Sequence, residues 1–411
     1  MTVRSWMTAR GRARRAGTGR ARDADRCRSR RSVFGSAGIG VSGDVPERGI
    51  RRAMNTNPWE ARSTRPARER SAPIMARLRS APIMARYARP ISRIVVIGAT
   101  GHVGTYLVPR LVRAGHQVVA LSRGARDPYL SAPEWRSVEA VACDREAEDA
   151  AGVFGARIAA FAADAVVDMI CFTPESAQQL VDALRPTRPL LLHCGTIWVH
   201  GPSARVPVTE DEPRAAYGEY GTGKAAIEEL LQRETIAGGV PSVVLHPGHI
   251  SGPWPAITPA GNLDLDVWRR LAIGEPLPLP DLGLGVLHHV HADDVAQAFE
   301  RALTRPAAIG SSFHVVSEQA MTLRGLAAGV AGWFGREPVF EFVDWSEFER
   351  RVGADHAEVS REHVGRSIAA SIDRARDVLG YRPRYSSLDA LHESLRWLAE
   401  NGHVDLDDQN F

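Results

Sequence analysis

A glycine-rich turn, with Gly98, Gly101 and Gly104, constrains the fold of this chain more than any other feature. It follows the β-branched run Arg93–Ile97 and leads into a helical pattern of apolar residues that begins at His102. In such a strand–turn–helix, the first glycine permits a tight turn and the second lets backbone N–H groups approach a pyrophosphate. The third lets helix and strand pack closely. We therefore expect nucleotide contacts from Gly98, Thr100, Gly101, His102, Val103 and Gly104.

Beyond the turn, short apolar runs alternate with helical patterns. Strands are predicted at 117–121, 138–142, 165–170, 190–193 and 242–245, and helices at 145–161, 174–184 and 218–236. This alternation indicates an α/β fold, a doubly wound parallel sheet of the Rossmann type with helices on both faces. We expect the nucleotide-binding domain at 91–246, completed by about 287–310, and a smaller C-terminal α/β substrate region formed by 247–286 and 311–411.

The first 90 residues have a different composition. They carry 22 arginines and 6 acidic residues and show no sustained apolar period, so we expect a disordered, Arg-rich N-terminal extension. A mis-assigned start, with Met54, Met75 or Met84 as the true one, an organelle transit peptide and a nucleic-acid-binding arm all fit this composition. Residues 91–411 carry 29 basic and 42 acidic groups, which argues against nucleic acid as their partner.

The cysteines at 27, 143, 171 and 194 lie far apart and lack a CxxC spacing. We expect four reduced thiols rather than a disulfide framework or a zinc ribbon. No window approaches the roughly 18 apolar residues of a membrane-spanning helix, and no secretory signal is recognisable. A cytoplasmic location is therefore expected, with a small-molecule substrate and without a membrane partner.

The end of the second predicted strand bears on the choice of nucleotide. An acidic residue there would hydrogen-bond both ribose hydroxyls of NAD, but the strand ends Leu121-Ser122-Arg123. Arg123 suits a 2′-phosphate by charge-assisted pairing, so NADP is favoured over NAD. The alternative is that Arg123 is a solvated loop charge. Asp144, after the third predicted strand, is either an acceptor for the adenine amino group or a surface acid.

Basic residues show an extreme bias, because 50 of the 51 are Arg and Lys224 is the exception. Tyr220 precedes it by four residues, so the two side chains share one face of a helix. A nearby ammonium, together with an oxidised nicotinamide, would lower the pKa of a phenol from its usual value of about 10. Lys224 would also hydrogen-bond the nicotinamide ribose. Tyr220 is thus predicted to be a general acid/base.

The glycine turn and the Tyr-x-x-x-Lys pair together resemble the short-chain dehydrogenase/reductase superfamily. The chain length resembles its extended branch, the NAD(P)-dependent epimerase/dehydratase family, over about residues 91–400. His193–Gly201 is similar to that family's Ser-Ser-x-x-Val-Tyr-Gly stretch and places Thr196 at the catalytic hydroxyl position. Leu245–Pro253 is similar to its Arg-Pro-Gly-x-x-Tyr-Gly-Pro stretch. His246 stands at the arginine there and is counted among the cofactor-binding candidates.

The resemblance implies an epimerase, dehydratase or reductase acting at a secondary alcohol or ketone, for which a sugar derivative is one candidate. It implies catalytic roles for Thr196, Tyr220 and Lys224, and a homodimer. Three departures argue against nucleotide sugars: the segment Asp168–Phe172, His246 in place of the usual arginine, and Leu287 in place of a diphosphate-binding arginine. Such departures also occur in relatives that resemble chloroplast stem-loop RNA-binding proteins. The alternative is therefore a cofactor-binding scaffold with an RNA-binding or regulatory role.

Three histidines, at 288, 289 and 291, raise the question of a metal ion. Neighbouring residues on an extended segment point to opposite faces, so that only His289 and His291 could share one ion. Asp293 and Asp294 are the nearest additional ligands, and we expect no metal site. We expect instead that one of these aspartates caps a helix over 295–303.

Overall fold

A parallel seven-stranded sheet forms the centre of the part of the chain that the computed structural model describes, residues 92–406. The predicted disorder of residues 1–90 and the thiol of Cys27 lie outside these residues. The strands of the sheet run in the spatial order β11-β6-β5-β4-β1-β2-β3. Their bounds are β1 Arg93–Ile97, β2 Gln117–Ser122, β3 Glu139–Ala142, β4 Ala165–Asp168, β5 Leu190–Cys194, β6 Ser242–Pro247 and β11 Ser312–Val315.

Six shorter strands form three two-stranded sheets beside the main one. They are β7 His249–Ser251 with β10 His289–His291, β8 Leu277–Pro280 with β13 Phe340–Val343, and β9 Val286–Leu287 with β12 Met321–Thr322. The α-helices are α1 His102–Arg113, α2 Arg145–Ala150, α3 Phe154–Ala160, α4 Pro174–Leu184, α5 Gly218–Ile236, α6 Asp266–Ile273, α7 Ala292–Leu303, α8 Leu323–Trp333, α9 Trp345–Val352, α10 Ala354–Val364 and α11 Ser387–Glu400.

Helices cover both faces of the main sheet, as the alternating pattern predicts. Along β1, Ile94 and Val96 belong to a core that α1 and α7 complete, whereas Val95 and Ile97 belong to a core on the other face. Helices α3, α4 and α5 complete this second core. Successive side chains of a strand point to opposite faces, which explains why β1 is apolar from Ile94 to Ile97. The doubly wound Rossmann-type fold is thus confirmed.

The C-terminal region has a core of its own, which surrounds the buried Trp268 of α6. Helices α8 and α11 contribute to it, together with Leu277 and Leu279 of β8. This smaller lobe packs beside the carboxyl ends of the main strands through β7 and β10. These segments pack around a separate core, and their sequence does not continue the strand–helix alternation of the main sheet.

Three local predictions need correction. The last strand of the main sheet, β11, lies in 311–411, beyond the range 287–310 that was expected to complete the domain. The sequence did not indicate this strand, because Ser-Phe-His-Val lacks a long β-branched run. The helix predicted over 145–161 is two helices, α2 and α3, separated by Ala151-Gly152-Val153.

The third correction concerns the start of α7. His291, and neither predicted aspartate, is the N-cap, and its side chain accepts the N–H of Asp293. Asp293 instead pairs with Arg110 of α1 at 2.7 Å. Asp294 accepts the backbone N–H groups of Arg384 and Tyr385 at 2.9 and 3.1 Å. Both carboxylates therefore fasten distant segments of chain to α7, which a local capping pattern cannot reveal.

Cys143, Cys171 and Cys194 are free and buried, in agreement with the expectation of reduced thiols. Among residues 92–406, no helix combines the length and the apolar character that crossing a bilayer requires.

Candidate functional site

The glycine turn lies at the carboxyl end of β1, between β2 and β4, where the strand order of the sheet reverses. The N–H groups of Gly98 and Ala99 both donate to the carbonyl of Leu121 at 3.0 Å, which holds the turn against β2. Gly98 has φ +90°, and Gly101 is the N-cap of α1. A Cβ atom added at Gly104 would lie 2.2 Å from the carbonyl oxygen of Ala99. The turn is therefore a close-packed backbone cradle, and its shape fits a pyrophosphate at a helix N-terminus.

Replacing Gly104 with Ala is expected to open this cradle, because the new methyl group cannot coexist with the Ala99 carbonyl. We expect the affinity for a dinucleotide to fall at least tenfold and the free energy of unfolding to fall by about 1–3 kcal/mol. Isothermal titration and urea denaturation measure the two effects. Gly332→Ala on α8 is the control, since its Cβ would meet no atom within 4 Å. Wild-type affinity in the Gly104 variant would contradict this account of the turn.

The side chain of His102 is engaged within the protein. Its Nδ1 lies 2.8 Å from the hydroxyl of Tyr129, and its Nε2 lies 3.1 Å from the carbonyl of Ser251. Burial lowers the pKa of His102 to about 3, so the ring is neutral. His102 thus joins the turn to the loop after β2 and to β7 of the smaller lobe, which leaves its backbone for the predicted nucleotide contact.

Two arginines lie beyond the carboxyl end of β2. Arg123 is exposed, and Arg126 stacks over Trp254 with its guanidinium carbon 4.8 Å from the ring centroid. Burial and then the charge of Arg123 lower the pKa of Arg126, so the two guanidinium groups are close enough to repel. Within residues 92–406 neither forms an ion pair, with Asp127 or with any other carboxylate. Arg126 is not predicted from the sequence, since nothing in its spacing distinguishes it from other loop arginines.

Asp144 has a structural role. It is the N-cap of α2, and its carboxylate accepts the N–H of Ala147 at 3.2 Å. The side chain is exposed, so an oxygen remains for the predicted adenine contact.

The three predicted catalytic side chains meet at the carboxyl ends of β4 and β5. Thr196 follows β5 and caps the short 3₁₀ turn Ile197–His200, where its hydroxyl oxygen accepts the N–H of Trp198 at 3.3 Å, and it neighbours Tyr220. Tyr220 is in the first turn of α5, 39% exposed, with its ring edge-on to Trp198. The Lys224 ammonium lies 5.9 Å from the Tyr220 ring centroid. The sheet edge therefore brings together residues that are up to 28 positions apart in the chain.

The Lys224 ammonium is only 1% exposed and is bonded to backbone. It donates to the carbonyls of Cys171 and Cys194 at 2.7 and 2.6 Å, and so ties the ends of β4 and β5 together. Phe172 covers it, with the ring centroid 4.8 Å away. An ammonium has three hydrogens, so one is not used by these two carbonyls. Burial lowers the pKa of Lys224.

The pKa of Tyr220 is shifted upward in this structure, whereas a lowered pKa was expected. Desolvation raises the pKa of the phenol above its usual value, and hydrogen bonding to Thr196 opposes that shift. The Lys224 ammonium donates to two backbone carbonyls and lies 5.9 Å from the centroid of the Tyr220 ring. Tyr220 is therefore protonated at neutral pH here.

His246 was predicted to contact the cofactor, and the structure places it elsewhere. It is fully buried below the end of β5, where its Nδ1 accepts the backbone N–H of Thr196 at 3.0 Å. Its Nε2 lies 3.2 Å from Oε1 of Glu228. β5 and β6 are neighbours in the sheet, which brings the His246 ring against the backbone that follows β5. The two are so close that a Cβ atom added at Gly195 would lie 2.4 Å from His246 Nδ1. Glu228 was also missed, although it follows Lys224 by four residues on α5.

The unusual segment after β4 is built around a buried ion pair. Asp168 accepts from Arg145 at 2.5 Å, and Arg145 also donates to Ser176 at 3.1 Å. Burial, followed by the charge of Asp168, raises the pKa of the Cys171 thiol to about 11, so this cysteine is not a nucleophile at neutral pH. Leu287, the other departure, is fully buried in the core of the smaller lobe. Among the described residues no group of three His, Cys, Asp or Glu side chains is arranged to hold a metal ion.

Comparison with known proteins places this site in a family. Residues 94–316 match the sequence model of the NAD dependent epimerase/dehydratase family. The chain is 26% identical over 315 residues to the chloroplast stem-loop binding protein of 41 kDa b of Arabidopsis thaliana, covering 74% of this chain and 78% of that protein. It is 29% identical over 273 residues to 2'-dehydrokanamycin reductase of Streptomyces kanamyceticus, covering 66% and 75%.

Solved structures share the fold. UDP-glucose 4-epimerase from Thermotoga maritima, determined with UDP-glucose, superposes with a TM-score of 0.57 at 20% identity, covering 75% of this chain and 99% of that one. dTDP-glucose 4,6-dehydratase from Bacillus anthracis, determined with NAD, gives a TM-score of 0.59 at 16% identity, covering 75% and 97%.

Proposed function

Because this chain belongs to the NAD dependent epimerase/dehydratase family, we propose that it is an NADP(H)-dependent oxidoreductase or epimerase acting at a secondary alcohol or ketone of a sugar derivative. The observation that carries the proposal is the meeting of Thr196, Tyr220 and Lys224 at the sheet edge beside the glycine turn.

In this mechanism Tyr220 exchanges a proton with the reacting oxygen, and its protonated state suits the reduction of a ketone. Thr196 hydrogen-bonds the same oxygen and orients it toward Tyr220. Lys224 donates its remaining N–H to the ribose, while its two bonds to carbonyls fix its position. The glycine cradle holds the pyrophosphate. A bound nicotinamide supplies or accepts the hydride.

Sugar derivatives are supported by the names of relatives, which refer to dehydrokanamycin and to UDP-glucose. The absence of an arginine at Leu287 favours substrates without a nucleotide diphosphate. We test the function by incubating the protein with NADP⁺ or NADPH and a panel of free sugars, aminoglycosides and their keto derivatives. Nicotinamide absorbance reports net oxidation or reduction, and NMR of the sugars reports epimerisation. Folded protein that binds NADP but converts none of them would refute the proposal.

The NADP preference is proposed to come from Arg123 and Arg126 together. Two neighbouring guanidinium groups without a carboxylate form a site for a dianion, and charge-assisted bonds to phosphate are worth about 1.5–3 kcal/mol. We expect NADP to bind roughly 10- to 100-fold more tightly than NAD.

Arg123→Ala and Arg126→Ala are each expected to lower this preference, and the double variant to abolish it, as measured by titration of both nucleotides. Arg136→Ala removes the same charge from an exposed turn of the same loop and serves as the control. A wild-type preference for NAD, or a double variant that still prefers NADP, would show that this interpretation of the loop is wrong.

A further inference from the structure

One face of α5 carries a third polar residue behind the two catalytic ones. Tyr220, Lys224 and Glu228 follow each other at intervals of four, so their side chains lie in one row along the helix. Glu228 is 2% exposed. Arg214 donates two hydrogen bonds of 2.8 and 2.7 Å to the Glu228 carboxylate. Oε1 of Glu228 also lies 3.2 Å from Nε2 of His246. A buried Arg–Glu–His chain thus ends beneath the catalytic threonine.

The contacts of His246 define which of its nitrogens carries the proton. Nδ1 lies 3.0 Å from the backbone nitrogen of Thr196, which is a donor, so Nδ1 must present a lone pair. The proton is then on Nε2, where it faces the Glu228 carboxylate. Burial alone would raise the pKa of Glu228, but His246 and Arg214 hold it well below its usual range. The carboxylate is therefore ionised, and its charge lies 3.2 Å from Nε2, outside hydrogen-bond geometry, where it favours a proton on that nitrogen.

We propose that Glu228 and His246 are positioning residues for the reaction: Glu228 holds His246 in the Nε2–H tautomer, and Nδ1 of His246 fixes the backbone of Thr196. Thr196 in turn caps the turn Ile197–His200 and influences the pKa of Tyr220. The inference rests on the proposed function, because it concerns the oxygen on which Thr196 and Tyr220 act. An arginine has no acceptor, so it could not take the place of His246 in this contact.

The role predicts an effect on kcat rather than on binding. Displacing a catalytic group by about 1 Å costs on the order of 100-fold in rate. His246→Leu, which removes the acceptor, is expected to lower kcat roughly 100-fold, with KM and the NADP Kd within about threefold of wild type. His246→Asn offers an acceptor near the position of Nδ1 and should recover most of this loss. Kinetics are measured at pH 7.5 or above.

Two measurements make the test independent of turnover. In ¹⁵N-histidine-labelled protein, the His246 signals, assigned by their absence in His246→Asn, should report Nε2–H and an unprotonated Nδ1. Hydrogen exchange of the Thr196 amide should be fast in His246→Leu and slow in wild type and in His246→Asn. If His246→Leu does not fold, the isosteric Glu228→Gln takes its place. The amide of this variant both donates and accepts hydrogen bonds. We therefore expect a mixture of the two His246 tautomers and a kcat lower by about tenfold.

Several results would overturn the proposal: a proton on Nδ1 in the wild type, equal losses of kcat in the Leu and Asn variants, an NADP Kd that changes in step with kcat, or a Glu228→Gln variant with a pure tautomer and full activity. The proposed function fails separately. If Tyr220→Phe were fully active, the function would be wrong while the tautomer and exchange results still stood.

Discussion

Replacing Tyr220 with Phe is expected to lower kcat by about 10²- to 10⁴-fold while NADP binding stays close to wild type. The substitution removes only the hydroxyl that exchanges a proton with the substrate. The ring contacts to Trp198 and Phe172, at 5.7 and 6.3 Å between centroids, remain. Steady-state kinetics and nucleotide titration measure the two effects.

Tyr217→Phe is the matched control for this variant. Tyr217 has the same exposed fraction as Tyr220, 39%, and lies just before α5 with its ring over the guanidinium of Arg366. It is not part of the proposed proton path, so its variant should keep most of the wild-type kcat. Equal losses in the two variants would remove the catalytic role from Tyr220 and assign the effect to this end of α5.

A steep loss of stability below neutral pH is the second large effect that we expect. Six histidines are buried and have pKa values lowered chiefly by burial: His193, His200, His288, His289, His314 and His363. In the unfolded chain each would titrate at about 6.5. The unfolded state therefore binds more protons, and stability falls as the pH drops from about 6.5 toward the folded pKa values, about 4 for His288 and about 3 for His200.

Each such group costs about 1.4 kcal/mol per pH unit once the pH is below the unfolded pKa. Six groups together amount to several kcal/mol by about pH 5.5, comparable to the whole stability of an ordinary domain of about 5–15 kcal/mol. Urea denaturation at a series of pH values should show this loss. His363→Gln removes one titrating group and should make the pH dependence shallower. Unchanged stability between about pH 7.5 and 5.5 would contradict the prediction.

Much of the nucleotide-binding half follows from local patterns. The sequence predicts the strand Arg93–Ile97 and the helices over 174–184 and 218–236 with the bounds that the structure shows. Each depends on residues adjacent in the chain, since apolar periodicity and glycine placement act over one or two turns. The spacing of Tyr220 and Lys224 on one helix belongs to the same class of information.

The last strand of the main sheet and some helix boundaries were predicted less well. The sequence predicts no strand at β11 and one helix where α2 and α3 lie, because short strands and short helices carry weak periodic signals. The cap of α7 was assigned to an aspartate, although both aspartates bind segments that follow much later in the chain.

The sequence by itself determined the fold class, the glycine cradle and the Tyr–Lys pair, because these depend on near neighbours in the chain. Only the tertiary structure decided what surrounds them. It brought the carbonyls of Cys171 and Cys194 to Lys224, placed His246 under Thr196 rather than at the cofactor, and set Arg126 beside Arg123. These partners lie on different strands or in a loop, and packing of the sheet, not spacing in the sequence, selects which of them meet.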